Sequence, residues 1–525
     1  MSTEPVVIGK NIIEILTTGM YDNPLVIYRE YVQNSVDAIN QALSLELFQD
    51  VREGEINITV NPEKKYIEFY DNATGIPAKI SWNLLTSIAD STKDRNKHLG
   101  FRGIGRLAGL AYCEKLTIET SYMGESVKSQ MIWDGDKLRS IISDRKDQKK
   151  AHEVIDSITT FRSDLHEEDE KHYFRVKLHN IKNNKLLDIA EVEKYLRMVA
   201  PVPFNPQFIY ARNVLDGLQD RGVTVSEYRV FVNTSEIFKP YRTRIYKKDS
   251  KSEKAIDEII SIEFFELHIH GELLAVGWYG VASNLQRIPV YNEPHGIRIR
   301  KGNIQIGDQF TMQRFYKEER FHNYFIGEIH VISSSLIPNG QRDYFDECEL
   351  ITIFEQHMKA EARKLSNLCR EASNLNSAVK KIESYSKQEN DFLKKQNEQE
   401  FVSSSHEKDE KNKLEKCEKV AKHAKATIKK IKERAAENEV LQKLVEQHKK
   451  SLDKTESTQS PEPIQSKGRK DNKYKSQKLS RLNKKEQKFV GEIFDVIRLV
   501  LTPDLAQNLI LKIEERFGGN SNEKK

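Results

Sequence analysis

A chain of 525 residues with 84 basic and 79 acidic side chains carries a net charge of only +5, although 31% of its residues are charged. It is too long for one ordinary core, and its mixed charge describes a solvated surface rather than a general polyanion-binding one. Four scattered cysteines (Cys113, Cys348, Cys369, Cys417), with no Cys-x-x-Cys pair, exclude a disulfide framework or a structural zinc site of the usual spacing, and no run of eighteen apolar residues suggests a membrane span. With no charged-then-apolar leader in residues 1–20, the expectation is a soluble protein of a reducing, cytoplasmic compartment.

In chain order, helical patterns come first, at Ile8–Leu16 and Pro24–Leu47. In the second, Glu30, Asn34 and Asp37 fall at i, i+4 and i+7, beside the apolar Ile27 and Ala38, so three polar groups share an inward face and need partners there. Two readings stay open: a buried network satisfied by neighbouring loops, or a metal and nucleotide site in which Asn34 holds a hard cation and Glu30 takes a proton from water. Alternating strands follow at Glu55–Val60 and Lys65–Tyr70, joined as a hairpin by Asn61-Pro62-Glu63-Lys64. The second strand runs into Asp71-Asn72-Ala73-Thr74-Gly75-Ile76-Pro77, which reads either as an ordinary turn or as a corner that recognises a base. A polar stretch over Ser87–Asp94 leads to Gly100-Phe101-Arg102-Gly103-Ile104-Gly105-Arg106, whose glycines suit a phosphate-receiving loop. It is neither a dinucleotide fingerprint nor a P-loop. Lys115–Thr120 and Tyr173–Leu178 read as further strands of the same sheet.

The order of these parts, an acidic-amide-acidic helix, a strand ending in Asp with Gly four residues on, a polar lid and then a Gly-rich loop, resembles the GHKL superfamily of ATPases, and most of all its heat-shock protein 90 branch. The resemblance covers roughly residues 6–186. It implies ATP and Mg²⁺ as ligands, Glu30 as the base that activates water, Asn34 as the Mg²⁺ ligand and Asp71 as the acceptor for the adenine amino group. The implied nucleotide contacts are Asn34, Asp37, Ala38, Asp71, Gly75, Ile76, Ser91, Thr92, Lys93, Gly100, Phe101, Arg102, Gly103, Ile104 and Gly105. Three positions depart from the pattern. Ala73 replaces the first motif glycine, Arg106 stands where an aromatic often follows the phosphate-loop glycines, and Tyr173-Phe174 occupy the place of the adenine-side threonine.

Past the proline-rich boundary Pro201–Pro206, strands return at Tyr228–Val232, Ile260–Phe265 and Leu273–Trp278. Gly296–Gly307 alternates with cations on one face, which reads as an exposed Arg-studded strand or as a contact for phosphate or an acidic partner. After the strand Gly327–Ile332, the turn Ser335–Phe345 is similar to the chaperones' middle-domain loop. That similarity implies that Arg342, with Asn339 as its loop partner, reaches the γ-phosphate. Lys301 is the second candidate, because the MutL and gyrase branches use a lysine.

From Ile351 apolar residues recur in a heptad seam through Phe354, Met358, Leu365, Leu368, Ala372, Leu375, Val379 and Ile382, interrupted at Glu361. Ser386–Lys413 is polar and predicts a bend. A second seam from Leu414 to Ala435 shifts register near Leu441, as a stutter would, and the two helices could pair within one chain or between chains. A basic linker (Lys467, Arg469, Lys470, Lys473) precedes a small helical module.

The expected fold class is α+β, with an amino-terminal Bergerat-type α/β sandwich (1–200), a middle α/β domain (201–350), coiled-coil helices (351–452), a linker (453–484) and a helical module with its tail (485–525). The expected function is an ATP-hydrolysing clamp, homodimeric either on binding ATP or through its carboxyl-terminal helices, acting on a protein client or partner complex. The alternatives are a MORC- or MutL-like ATPase acting on nucleic acid in defence or repair, and a nucleotide-binding scaffold without turnover.

Overall fold

A computed structural model describes residues 9–10, 12–13, 23–87, 105–144, 146–249, 252–397, 401, 404–457, 479 and 482–517. The chain divides into two units, Met1–Ser366 and Asn367–Lys525.

The first unit begins with helix α1 (Val26–Ser44), free of glycine and proline, which buries Ile27, Tyr28, Tyr31, Val32, Val36 and Ile39. Each such apolar side chain contributes roughly 1.5–3 kcal/mol on full burial. The helix packs on the hairpin β1 (Glu55–Asn61) and β2 (Tyr66–Asp71), where Ile56, Ile58 and Val60 alternate inward, and the ring of Tyr31 lies 4.4 Å from that of Phe69. Helix α2 (Ala78–Thr86) leaves the hairpin, and a 3₁₀ segment (Gly105–Ala111) leads to β3 (Lys115–Ser121), β4 (Val127–Asp134), helices α3 (Gly135–Ser143) and α4 (Ala151–Ile158), β5 (Thr159–His166), β6 (Tyr173–His179) and helix α5 (Ile189–Val199). Helix α6 (Ala211–Gln219) precedes β7 (Arg229–Val232) and β8 (Ser235–Glu236). The strands form one eight-stranded sheet in the order β5-β4-β3-β6-β2-β1-β7-β8.

The position of β7 was not expected from the sequence, which placed it beyond the 201–206 boundary with the middle strands. It pairs parallel to β1 instead, and the side-chain amide of Asn233 brackets Val60, accepting from its N–H at 2.7 Å and donating to its carbonyl at 2.9 Å. Tyr228, Val230, Val232 and Ile237 therefore belong to the amino-terminal core.

The following strands, β9 (Arg244–Asp249), β10 (Ser252–Ile269), β11 (Glu272–Ala282), β12 (Gly296–Lys301), β13 (Ile304–Ile306) and β14 (Ile326–Val331), form a six-stranded sheet ordered β13-β12-β14-β11-β10-β9. Phe204, Phe208, Tyr241 and Trp278 pack as its aromatic core. Here the exposed-strand reading of Arg298 and Arg300 is corrected, for both are buried. Arg300 reaches Glu328 through Nε and donates to the carbonyls of Asn303 and Met198, each at 2.8 Å. Arg298 donates to the Glu293 carbonyl at 2.8 Å. The ammonium of Lys301 is held by the carbonyls of Ile332 and Ser333. An alternating run of cations marks solvent only when the other face alone is covered, and here internal acceptors satisfy the buried face.

Helix α7 (Glu349–Asn397) starts in the first unit, where Phe354 meets Phe345 edge-on, and ends at Asn397, inside the polar stretch Ser386–Lys413 that predicts the bend. In the second unit it faces α8 (Ser404–Ala435). Arg434 pairs with Glu371 and Lys395 with Glu410, so one helix ascends as the other descends, an antiparallel hairpin within one chain. In α7 the seam is carried past Glu361 by its neighbour, the buried Ala362. The predicted stutter is a true break: α8 stops at Ala435, and Asn438 caps α9 (Glu439–Ser457) by accepting from the Leu441 N–H at 3.0 Å. Helices α10 (Lys484–Val500) and α11 (Pro503–Phe517) share a small core of Phe494 and Ile510 with Leu479. Residues 458–478, which include most of the basic linker, lie outside the described residues. Among the described residues, no helix is long and apolar enough to cross a membrane.

Candidate functional site

The inward face of α1 meets the turn that follows β14. Arg342 places its Nε 3.0 Å from Glu30 Oε1, with both side chains less than a tenth exposed. Arg29 stands 3.7 Å from the same oxygen and donates onward to the carbonyls of Gln341 (3.0 Å) and Arg342 (3.4 Å). The turn that presents Arg342 is strained: its φ is +56°, a left-handed conformation costing of order 1–3 kcal/mol for a residue with a side chain. Its backbone is pinned on both sides, the Arg342 N–H donating to the Asn339 carbonyl at 3.1 Å and the Gly307 N–H to the Arg342 carbonyl at 2.8 Å. Asn339 in turn donates its side-chain amide to Asp343 at 2.6 Å.

The hydrogen bonding of this face is incomplete. Among the described residues, Glu30 Oε1, although close to Arg342, has no aligned hydrogen bond, and neither has Arg29 Nε; both ends of the fully buried Gln33 amide also lack partners there. Buried polar atoms are rarely left this way, and several along one helix face are the chemistry of a site that takes water or a polar ligand. Gly105 closes the other side. A Cβ there would come within 2.7 Å of Glu30 Oε2, so a side chain at this position would push the carboxylate aside.

The second pole of the site is Asp71, at the end of β2 and almost wholly buried. It accepts from the Ser35 hydroxyl at 2.7 Å and from the Ala73 N–H at 3.2 Å. Burial pushes its carboxyl up to about 7, against the opposing pull of those two hydrogen bonds. The loop beyond is anchored to the sheet. The Ala73 carbonyl contacts His172 Nδ1 at 2.8 Å, the Ile76 N–H donates to the Thr120 hydroxyl at 2.8 Å, and that hydroxyl donates to the Tyr173 carbonyl at 3.0 Å. Gly75 has φ +64°, and a Cβ would fall 1.8 Å from the Ser121 carbonyl oxygen, so its glycine is dictated by the neighbouring strands. Thr120 of β3 thus pins this corner to the sheet.

Of the other expected contacts, Asn34 and Ala38 are half-buried on α1 and Asp37 is buried beside them. Ser91, Thr92, Lys93, Gly100, Phe101, Arg102, Gly103 and Ile104 lie outside the described residues. No group of three or more His, Cys, Asp or Glu side chains suited to a metal occurs among the described residues. The sequence reading missed Arg29, Gln33, Ser35 and Thr120. Ser35 carried a usable signal, lying on the helix face turned toward the β2 end; Thr120 carried none, because its role depends on which strands are neighbours.

Residues 25–166 match the family model for histidine kinase-, DNA gyrase B- and HSP90-like ATPases. The chaperone protein HtpG of Psychrobacter arcticus is 27% identical over 143 residues, 24% of this chain and 22% of the relative. HtpG of Buchnera aphidicola (subspecies Acyrthosiphon pisum) is 24% identical over 142 residues, 24% of this chain and 23% of the relative. HtpG of Albidiferax ferrireducens is 25% identical over 140 residues, 23% of this chain and 21% of the relative. The matched part thus spans less than a quarter of the length of each of these chaperones. With the helix-on-sheet architecture described above, the match identifies the amino-terminal domain as an α/β domain of the GHKL ATPase type, similar to that of the heat-shock protein 90-like chaperone HtpG.

Proposed function

We propose that this chain is an ATP-hydrolysing clamp of the heat-shock protein 90 kind, in which the middle domain completes the amino-terminal site. The observation that carries the proposal is the buried approach of Arg342 to Glu30 across more than three hundred residues of sequence. Asp71 accepts from the adenine amino group, the loop ending at Gly105 lies along the phosphates, and Asn34 holds Mg²⁺, which when bound supplies positive charge to the phosphate oxygens. Glu30 orients a water and takes its proton as the water oxygen attacks the γ-phosphorus and the bond to the β-phosphate oxygen breaks. Arg342 moves from Glu30 to the developing γ-phosphate charge, an exchange that frees the base as it supplies the cation. The clamp is a cytoplasmic homodimer that acts on a protein client or partner complex, and domain closure is its output.

The test measures phosphate release and ATP binding in parallel. Glu30→Ala lowers turnover about 10²–10⁴-fold while ATP still binds, and Asn34→Ala abolishes Mg-ATP binding. Unchanged turnover in Glu30→Ala removes the assigned base. The second reading, a scaffold that binds nucleotide without turnover, draws on the engagement of Glu30 by two guanidinium groups, and it predicts no phosphate release from wild-type protein that binds ATP. Action on nucleic acid has lost one contact, since Arg298 is buried and internally engaged; steeply salt-dependent DNA binding would restore it.

A further inference from the structure

Arg106 follows Gly105 at the start of the 3₁₀ segment, one residue from the loop position that abuts Glu30 Oε2. Its main chain is fixed, the carbonyl accepting from the Tyr31 hydroxyl at 3.0 Å. Its side chain reaches back to the carbonyl of Ser87, the residue that ends α2. The guanidinium therefore ties the end of α2 to the 3₁₀ segment that begins beside Glu30. Among the described residues its buried Nε has no hydrogen-bond partner and no carboxylate pairs with the guanidinium. Burial lowers its proton affinity to about 10. Among the described residues this largely desolvated cation has a neutral carbonyl as its acceptor, and a doubly bonded anion would compensate it better.

We propose that Arg106 is a polyphosphate ligand: its guanidinium exchanges the Ser87 carbonyl for phosphate oxygens of a nucleoside di- or triphosphate lying between Asp71 and Glu30. This deepens the nucleotide reading and rests on it for the adenosine part of the ligand. The exchange also releases the end of α2 from the phosphate loop, so anion binding and the Ser87 contact compete for one side chain.

The test is calorimetric titration of the full chain and its Arg106→Gln and Arg106→Lys variants with Mg-ATP, ADP, adenosine and inorganic tripolyphosphate. Arg106→Gln can still donate to Ser87 but carries no charge. It is expected to weaken ATP and tripolyphosphate about tenfold or more while adenosine changes less than about twofold, with Arg106→Lys retaining part of the affinity. Equal ATP affinity in wild-type and Arg106→Gln overturns the proposal, and so does an equal loss for adenosine and ATP, which would assign Arg106 to holding the fold. Wild-type protein that binds tripolyphosphate but neither adenosine nor ATP keeps the anion site and removes the nucleotide reading. Binding of none of the four removes both.

Discussion

Replacing Glu328 by Gln tests how charge is balanced inside the middle sheet. The carboxylate is fully buried and is held by Arg300 Nε, by Lys239 Nζ at 3.0 Å and by the Tyr241 hydroxyl at 3.2 Å. Two fully buried cations thus lean on one anion, and burial together with the neighbouring Arg300 lowers Lys239 to about 8. Glu328→Gln keeps the volume but leaves both cations uncompensated, a loss of about 3–5 kcal/mol. Lys239→Met leaves a balanced Arg300–Glu328 pair and sacrifices mainly hydrogen bonds to Glu328 and Asn303, a loss of about 1–3 kcal/mol. The measurement is urea unfolding by tryptophan fluorescence, with Trp278 packed 5.4 Å from the Tyr241 ring as the local reporter. The carboxylate variant is expected to unfold at clearly lower urea than the lysine variant. Equal midpoints, or the reverse order, would refute the charge-balance reasoning. A further check comes from pH: because the folded-state lysine loses its proton near 8 and the unfolded one near 10.5, stability from this group rises as pH climbs between those values.

Asp71 gives the opposite slope. Its folded carboxyl titrates near 7 against an ordinary 3.8, so the stability it contributes is complete below about 4 and lost as pH rises through 7, by up to about 4 kcal/mol. Urea midpoints at pH 5 and pH 8 are expected to differ less in Asp71→Asn than in wild-type, and an unchanged difference would refute the assignment. The same titration predicts that ATP binds more weakly at pH 6 than at pH 8, since the ionised carboxylate accepts from the adenine amino group more strongly than the neutral carboxyl does; a titration series across that range reads it directly. Gly75→Ala is expected to cost more than about 3 kcal/mol, because a left-handed φ and a 1.8 Å approach to the Ser121 oxygen act together, and a thermal melt within a degree of wild-type would contradict it.

The parts legible in the sequence were those whose physics is local. The inward face of α1 follows from residue spacing, the β1–β2 hairpin from alternation and its turn, and the seam of α7 from steps of three and four. What escaped depended on partners far along the chain. Arg298 and Arg300 have the pattern of a half-exposed strand, and nothing nearby announces that Glu328 and the carbonyls of Met198 and Asn303 will enclose them. The limits of the bend within Ser386–Lys413 also escaped, because polar residues on a long helix can simply face water, so α7 continues to Asn397 and α8 begins at Ser404. At the candidate site the resemblance pointed to Glu30, Asp71 and Arg342, and Ser35 was readable from its helix face, whereas Gln33 and Thr120 became visible only when strands and helix were set side by side.

The pairing of β7 with β1 bears on how the chain can be divided and made. The nucleotide-binding sheet borrows a strand from behind α6, so a fragment ending at residue 200 would bare the β1 edge and strip Tyr228, Val230, Val232 and Ile237 from its core. During synthesis, β1 and β2 emerge some 170 residues ahead of that strand, and the edge stays open until Val232 has left the ribosome. The amino-terminal domain and the segment behind it therefore mature as one folding unit, and any chaperone that guards nascent edges has a defined interval in which to act.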